Sequence, residues 1–147
     1  MLNAKTVRWF LYNFDRLKDD ILNLEETLRS LKLCEIDFHI PCIADSDGSQ
    51  HSISESSSVE RQVVELDERT LKYKRELLFK RRLLRAINCV IYYMPDDGLD
   101  WKIIKMRYLG KIKWDNIAVK LNYSEAYLKE RDQFLINEII GNFNVRR

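Results

Sequence analysis

Only four glycines, two prolines, three cysteines and two histidines occur among the 147 residues of this chain. So little glycine, beside 33% charged residues, leaves few loop positions and favours helices with wet faces. With His39 and His51 as the only imidazoles, no Gly-rich phosphate loop and no Ser, His and acid set at a working spacing, there is no catalytic constellation. No enzymatic activity is expected. An odd number of cysteines argues for reduced thiols inside a cell rather than a disulfide framework. Cys34, His39, Cys42 and His51 carry zinc-ligand chemistry, but their spacing matches no common finger, so no metal or other cofactor is expected. No run of about 18 apolar residues is available to span a membrane. The opening MLNAKTVRWF leads into acidic helix rather than a signal-peptide core. The expected location is the cytoplasm.

The net charge of +2 conceals a strong asymmetry. Residues 1–68 carry a net −7, residues 69–85 a net +7, residues 86–100 a net −3 and residues 101–147 a net +5. Such a split suggests a phosphate-facing half and an acidic half turned toward itself, a partner or solvent.

Two amphipathic seams precede the C-terminal region. Phe10, Phe14, Leu17, Ile21, Leu24, Leu28 and Leu31 alternate spacings of four and three, which predicts an N-terminal helix over residues 1–40 that needs a partner. The seven serines from Ser46 to Ser58 bring little apolar surface to offset chain entropy, so residues 41–58 read as a flexible Ser-rich linker. A longer seam follows through Val59, Val63, Leu66, Thr70, Tyr73, Leu77, Lys80, Leu84, Ile87, Ile91 and Met94 until Pro95 stops it. It predicts a long basic helix over 59–94, a rod of about 50 Å at 1.5 Å per residue. The first helix folding back along it and two chains zipping as a homodimer fit this pattern equally. The basic residues Arg69, Lys72, Lys74, Arg75, Lys80, Arg81, Arg82 and Arg85 suit either a solvated face or a strip tracking DNA phosphates.

The segment from Ile103 to Ile139 is the most specific part of the chain. Ile117, Ala118 and Leu121 face inward on a short helix starting near Trp114, and the small Ala118 lets a second helix cross closely. Asn122 tolerates the left-handed backbone of a tight turn, Ser124 is a good N-cap and Glu125 suits a first helical turn. The second helix therefore begins at Glu125, with Leu128, Leu135 and Ile139 inward. Glu125, Ala126, Tyr127, Lys129, Glu130 and Gln133 are left on faces able to reach DNA.

The stretch RYLGKIKWDNIAVKLNYSEAYLKERDQFLINEI resembles the C-terminal domain of the RinA and ArpU group of phage late transcription regulators, itself similar to region 4 of bacterial sigma factors. Arg107 and Tyr108 end a helix, Trp114 precedes Ile117 and Ala118, and Leu121, Asn122, Tyr123 and Ser124 form the turn. Tyr127, Lys129 and Arg131 fall where those proteins carry polar and basic recognition-helix residues. The family commonly has glycine where Asn122 stands, and Glu125, Glu130 and Asp132 lower the positive potential of this helix, shifting phosphate contact to other segments.

The resemblance implies an all-α chain: a long coiled-coil-like helical hairpin, then a helix-turn-helix DNA-binding domain over residues 99–147. It also implies a sequence-specific activator of phage late genes that binds promoter duplex DNA and acts with the host RNA polymerase in the bacterial cytoplasm. Lys129 and Gln133 are expected at base edges, Tyr127 at a thymine methyl or phosphate, Glu130 at a cytosine amino group and Ser124 at the helix start. Lys111, Lys113, Lys120 and Arg131 are expected on phosphates. A small terminase subunit, which usually places its DNA-binding module first, and a coiled-coil adaptor that never touches nucleic acid are the alternatives.

Overall fold

The computed structural model describes residues 2–38 and 54–145, and every regular element among them is helical. In chain order these are α1 (Ala4–Tyr12), α2 (Phe14–Phe38), α3 (Ser54–Tyr92), α4 (Leu99–Ile104), α5 (Trp114–Leu121) and α6 (Glu125–Asn144). Residues 39–53, most of the expected linker, lie outside the described residues. Its last five, Ser54 to Ser58, form the opening turns of α3. No helix among the described residues is long and apolar enough to cross a membrane.

The N-terminal helix is interrupted where the seam predicts continuity. Asn13 takes φ −119° and ψ 40°, its Nδ2 donates to the Trp9 carbonyl at 2.8 Å, and its backbone N–H bonds the Trp9 and Phe10 carbonyls. Asparagine competes well for backbone acceptors, and here it closes α1 before α2 restarts at Phe14. At the other end Asn3 caps α1 by accepting from the Thr6 N–H at 2.8 Å.

The chain divides into two compact units, residues 1–20 with 80–147, and residues 21–79. Helices α2 and α3 contribute to both, which is compatible with the expected hairpin. Among the described side chains of the smaller unit, Ile21 and Leu28 of α2 and Thr70 and Leu77 of α3 are buried.

The larger unit holds the main core. Val7, Phe10 and Leu11 of α1 and Leu17 of α2 are buried, as are Leu83, Ala86, Ile87 and Val90 of α3. The C-terminal region adds Ile103, Ile104, Tyr108, Ile117, Leu128, Leu135, Ile136 and Ile139. The seam anticipated Ile87 but not Leu83, Ala86 or Val90, because this end of α3 is buried over a face wider than one heptad stripe. Part of the basic run is structural here. Lys80 pairs with Asp20 at 2.8 Å, and Arg82 donates to the Phe143 carbonyl at 2.6 Å with its guanidinium over the Phe143 ring. A cation on the last carbonyls of α6 satisfies groups the helix cannot pair itself.

Candidate nucleic-acid interface

After α4 the backbone widens into a π-helical turn, Lys105–Leu109, in which the Gly110 N–H reaches the Lys105 carbonyl at 2.8 Å. Glycine suits position 110 by proximity: a Cβ there would stand 3.1 Å from the Met106 carbonyl oxygen, a tight contact that the neighbouring turn would have to ease. Lys111 then reverses the chain with φ 52°, and Ile112 N–H closes on the Met106 carbonyl. π-turns of this kind are often found at functional sites. This one buries Tyr108 and carries Arg107 between two rings, 5.2 Å from the Tyr12 centroid and 5.0 Å from that of Trp114, while Arg107 Nη1 donates to the Ile112 carbonyl at 2.9 Å.

Helix α5 begins at Trp114, buries Ile117 and ends at Asn122, which adopts the left-handed conformation at φ 58° and ψ 41°. The Tyr123 N–H bonds the Ala118 carbonyl at 3.2 Å. Ser124 Oγ then accepts the Tyr127 N–H at 3.3 Å, starting α6. Leu128 seats this helix and is fully buried.

Five of the anticipated DNA-facing residues, Glu125, Ala126, Tyr127, Lys129 and Glu130, are exposed on the first two turns of α6. Lys129 Nζ lies 2.5 Å from Glu125 Oε1 in an i,i+4 pair that both solvent and a ligand can reach. Such a pair is worth only about 0.3–0.5 kcal/mol and gives way easily to a stronger partner. Tyr123, not singled out as a contact from sequence, stacks on Tyr127 with centroids 5.4 Å apart and planes 23° apart, and both rings are exposed. Lys111, Lys113 and Lys120 line one shallow depression together with Asn116 and Val119.

Two further anticipated contacts have partners within the fold. Arg131 makes a bidentate pair with Asp100, both bonds at 2.6 Å, which holds its guanidinium above the usual pKa and spends the planar fork a phosphate would use. Gln133 is half-buried, accepting from Arg8 Nη2 at 2.8 Å and donating to Asn137 at 2.9 Å.

Asp132, expected to lower the positive potential of this helix, does not project its charge to solvent. It is buried at 2% exposure, receiving Tyr108 Oη on Oδ1 at 2.5 Å and Arg8 Nε and Nη2 on Oδ2 at 3.1 and 3.0 Å. Burial first, then the Asp132 charge and hydrogen bond, push the Tyr108 hydroxyl far above its usual range. Burial pulls on the Arg8 guanidinium in the opposite sense, but the hydrogen bond and charge of Asp132 prevail and raise it. The result is a concavity lined by Arg8, Tyr12, Arg107, Tyr108, Trp114, Lys129, Asp132 and Gln133. It carries three cations beside the exposed turns of α6. Arg8 had no signal in sequence, since its partner lies 124 residues away.

No group of three His, Cys, Asp or Glu able to hold a metal occurs among the described residues. The Cys34, His39, Cys42 and His51 side chains lie outside them. Comparison with protein-family models, with curated proteins and with solved structures finds no match for this chain.

Proposed function

We propose that this chain is a sequence-specific duplex-DNA-binding protein that regulates transcription, acting as an activator alongside a bacterial RNA polymerase in the manner of the phage late regulators it resembles. The observation that carries this reading is the exposure of the Ser124-capped start of α6, with Tyr127, Lys129 and Glu130 outward and Leu128 buried beneath. Glu125 to Glu130 spans about 9 Å at 1.5 Å per residue, room for roughly three base pairs at 3.4 Å each. Beyond it, Arg131 to Gln133 are engaged by Asp100, Tyr108 and Arg8.

In this reading Lys129 leaves Glu125 to donate to guanine O6 or N7, and Glu130 accepts from a cytosine amino group. The stacked Tyr123 and Tyr127 rings meet a thymine methyl or the sugar-phosphate wall. Glu125, Lys129 and Glu130 sum to a net negative charge, so affinity must come from elsewhere. Lys111, Lys113 and Lys120 supply it by holding phosphates.

The experiment is selection of bound fragments from random and phage genomic duplex DNA by the full chain, with the Tyr127→Ala/Lys129→Ala double variant as control. The native chain should enrich one motif that the variant does not. Retention of no duplex DNA even at low salt would remove this reading in favour of an adaptor.

A further inference from the structure

Three apolar residues recur at intervals of seven along α3, Val64, Leu71 and Leu78, and they are 57%, 48% and 61% exposed. They form a stripe of their own, each of the last two one position beyond a buried residue, Thr70 and Leu77. A seven-residue repeat drifts about 20° per repeat on a straight helix, so the stripe stays continuous and suits a second helix crossing at a shallow angle. Large apolar side chains aligned in this way on a water-facing helix are costly to leave uncovered.

The charges beside the stripe say what covers it. Asp67 and Glu68 lie on the N-terminal side of Leu71, Lys74 and Arg75 on its C-terminal side, and all four are exposed. We propose that this face of α3 docks antiparallel onto the same face of a second copy of the chain, with a two-fold axis at Leu71. Reversal about that residue sets Val64 opposite Leu78, Leu71 opposite itself, Asp67 opposite Arg75 and Glu68 opposite Lys74. Three apolar layers and four attractive ion pairs follow from one register. A parallel arrangement in the same register would set Asp67, Glu68, Lys74 and Arg75 each against its own copy, which is repulsive throughout. The interface is isologous, as closed two-fold dimers require. The inference stands apart from the DNA reading and is tested without DNA.

Sedimentation equilibrium of the full chain from about 1 to 100 µM, a span suited to a small interface, is the measurement. The mass should rise toward twice 17.7 kDa and stop there. Leu71→Glu, which places two carboxylates at the axis, should weaken association at least tenfold. So should Asp67→Lys/Glu68→Lys and Lys74→Glu/Arg75→Glu, each taken alone. The combined fourfold variant should recover the native dimer, with helical content unchanged across the set. A monomer at every concentration would overturn the proposal, as would assembly beyond two copies. So would double reversals that leave association intact, the outcome of parallel pairing or of a different surface.

Discussion

Arg8 of the first helix grips Asp132 of the last with two bonds to one carboxylate oxygen, and uses the same guanidinium to hold Gln133. The start of the chain is thereby keyed to the helix whose opening turns face outward. Asp132 is almost completely buried, whereas the Arg8 side chain keeps 35% exposure, so removing the arginine leaves a buried carboxylate that has lost two donors and keeps the one from Tyr108. Arg8→Met, which keeps the apolar stem, should lower stability by about 2–4 kcal/mol, at or below the roughly 3–5 kcal/mol for breaking a fully buried pair from one side, because Arg8 is part-exposed. Asp132→Asn, retaining an acceptor for Tyr108, should cost less. Urea denaturation measures both. A loss below about 0.5 kcal/mol for Arg8→Met would show that the pair does not anchor α1.

Tyr108 predicts an alkaline signature. Burial and the neighbouring Asp132 raise its hydroxyl far above the ordinary tyrosine value of about 10, so the folded chain keeps a proton that the unfolded chain releases. Its contribution is therefore complete below about pH 10 and declines as pH climbs beyond that, by roughly 1.4 kcal/mol per pH unit for one proton. Tyr12, raised chiefly by burial, adds in the same direction. Tyr108→Phe should be less stable at neutral pH by about 1–3 kcal/mol, since a donor to a buried carboxylate is lost. Between pH 10 and 11.5 its stability should nevertheless fall less steeply than the native chain's. Parallel slopes in urea titrations across that range would contradict the assignment.

What could be read from the residues was local. Asn122 and Ser124 announce a left-handed turn and a helix start from their own chemistry, and the structure has the left-handed backbone at one and the cap at the other. Leu128, Leu135 and Ile139 are inward as their spacing predicts. Arg131, Asp132 and Gln133 escaped, because their partners Asp100, Tyr108 and Arg8 lie far along the chain and periodicity carries no information about distant pairing. The break at Asn13 was hidden by an apolar seam that runs straight through it, since the seam reports which face is apolar and not whether the backbone turns. The stripe of Val64, Leu71 and Leu78 was masked by the stronger seam beside it.

Thr70 offers a test in the smaller unit. It occupies a seam position, is 3% exposed, and its Oγ1 has no hydrogen-bond partner. A buried hydroxyl without a partner costs more than the methyl of equal shape. Thr70→Val should raise stability by about 1 kcal/mol, read as a higher midpoint in urea with an unchanged slope. A decrease would mean that the hydroxyl is satisfied in solution.

The lysines of the shared depression should behave differently from Lys129. Lys113→Ala is expected to weaken binding to all duplex DNA alike and reduce the salt dependence of log K by about 0.9, the release of one phosphate contact. Lys129→Ala should cost about 1–3 kcal/mol on the preferred sequence and far less on others. Fluorescence anisotropy from 50 to 200 mM salt separates them, and equal, sequence-blind losses for both would contradict the division of roles.

If the exposed opening turns of α6 read bases as proposed, the ratio of affinities for the enriched site and a scrambled duplex reports it at one fixed salt concentration. The native chain should prefer its site by about a thousandfold or more. The Tyr127→Ala/Lys129→Ala variant, with helicity and melting temperature unchanged, should lose at least tenfold of that preference while keeping its affinity for scrambled DNA. A variant that discriminates as well as the native chain would place base recognition away from α6.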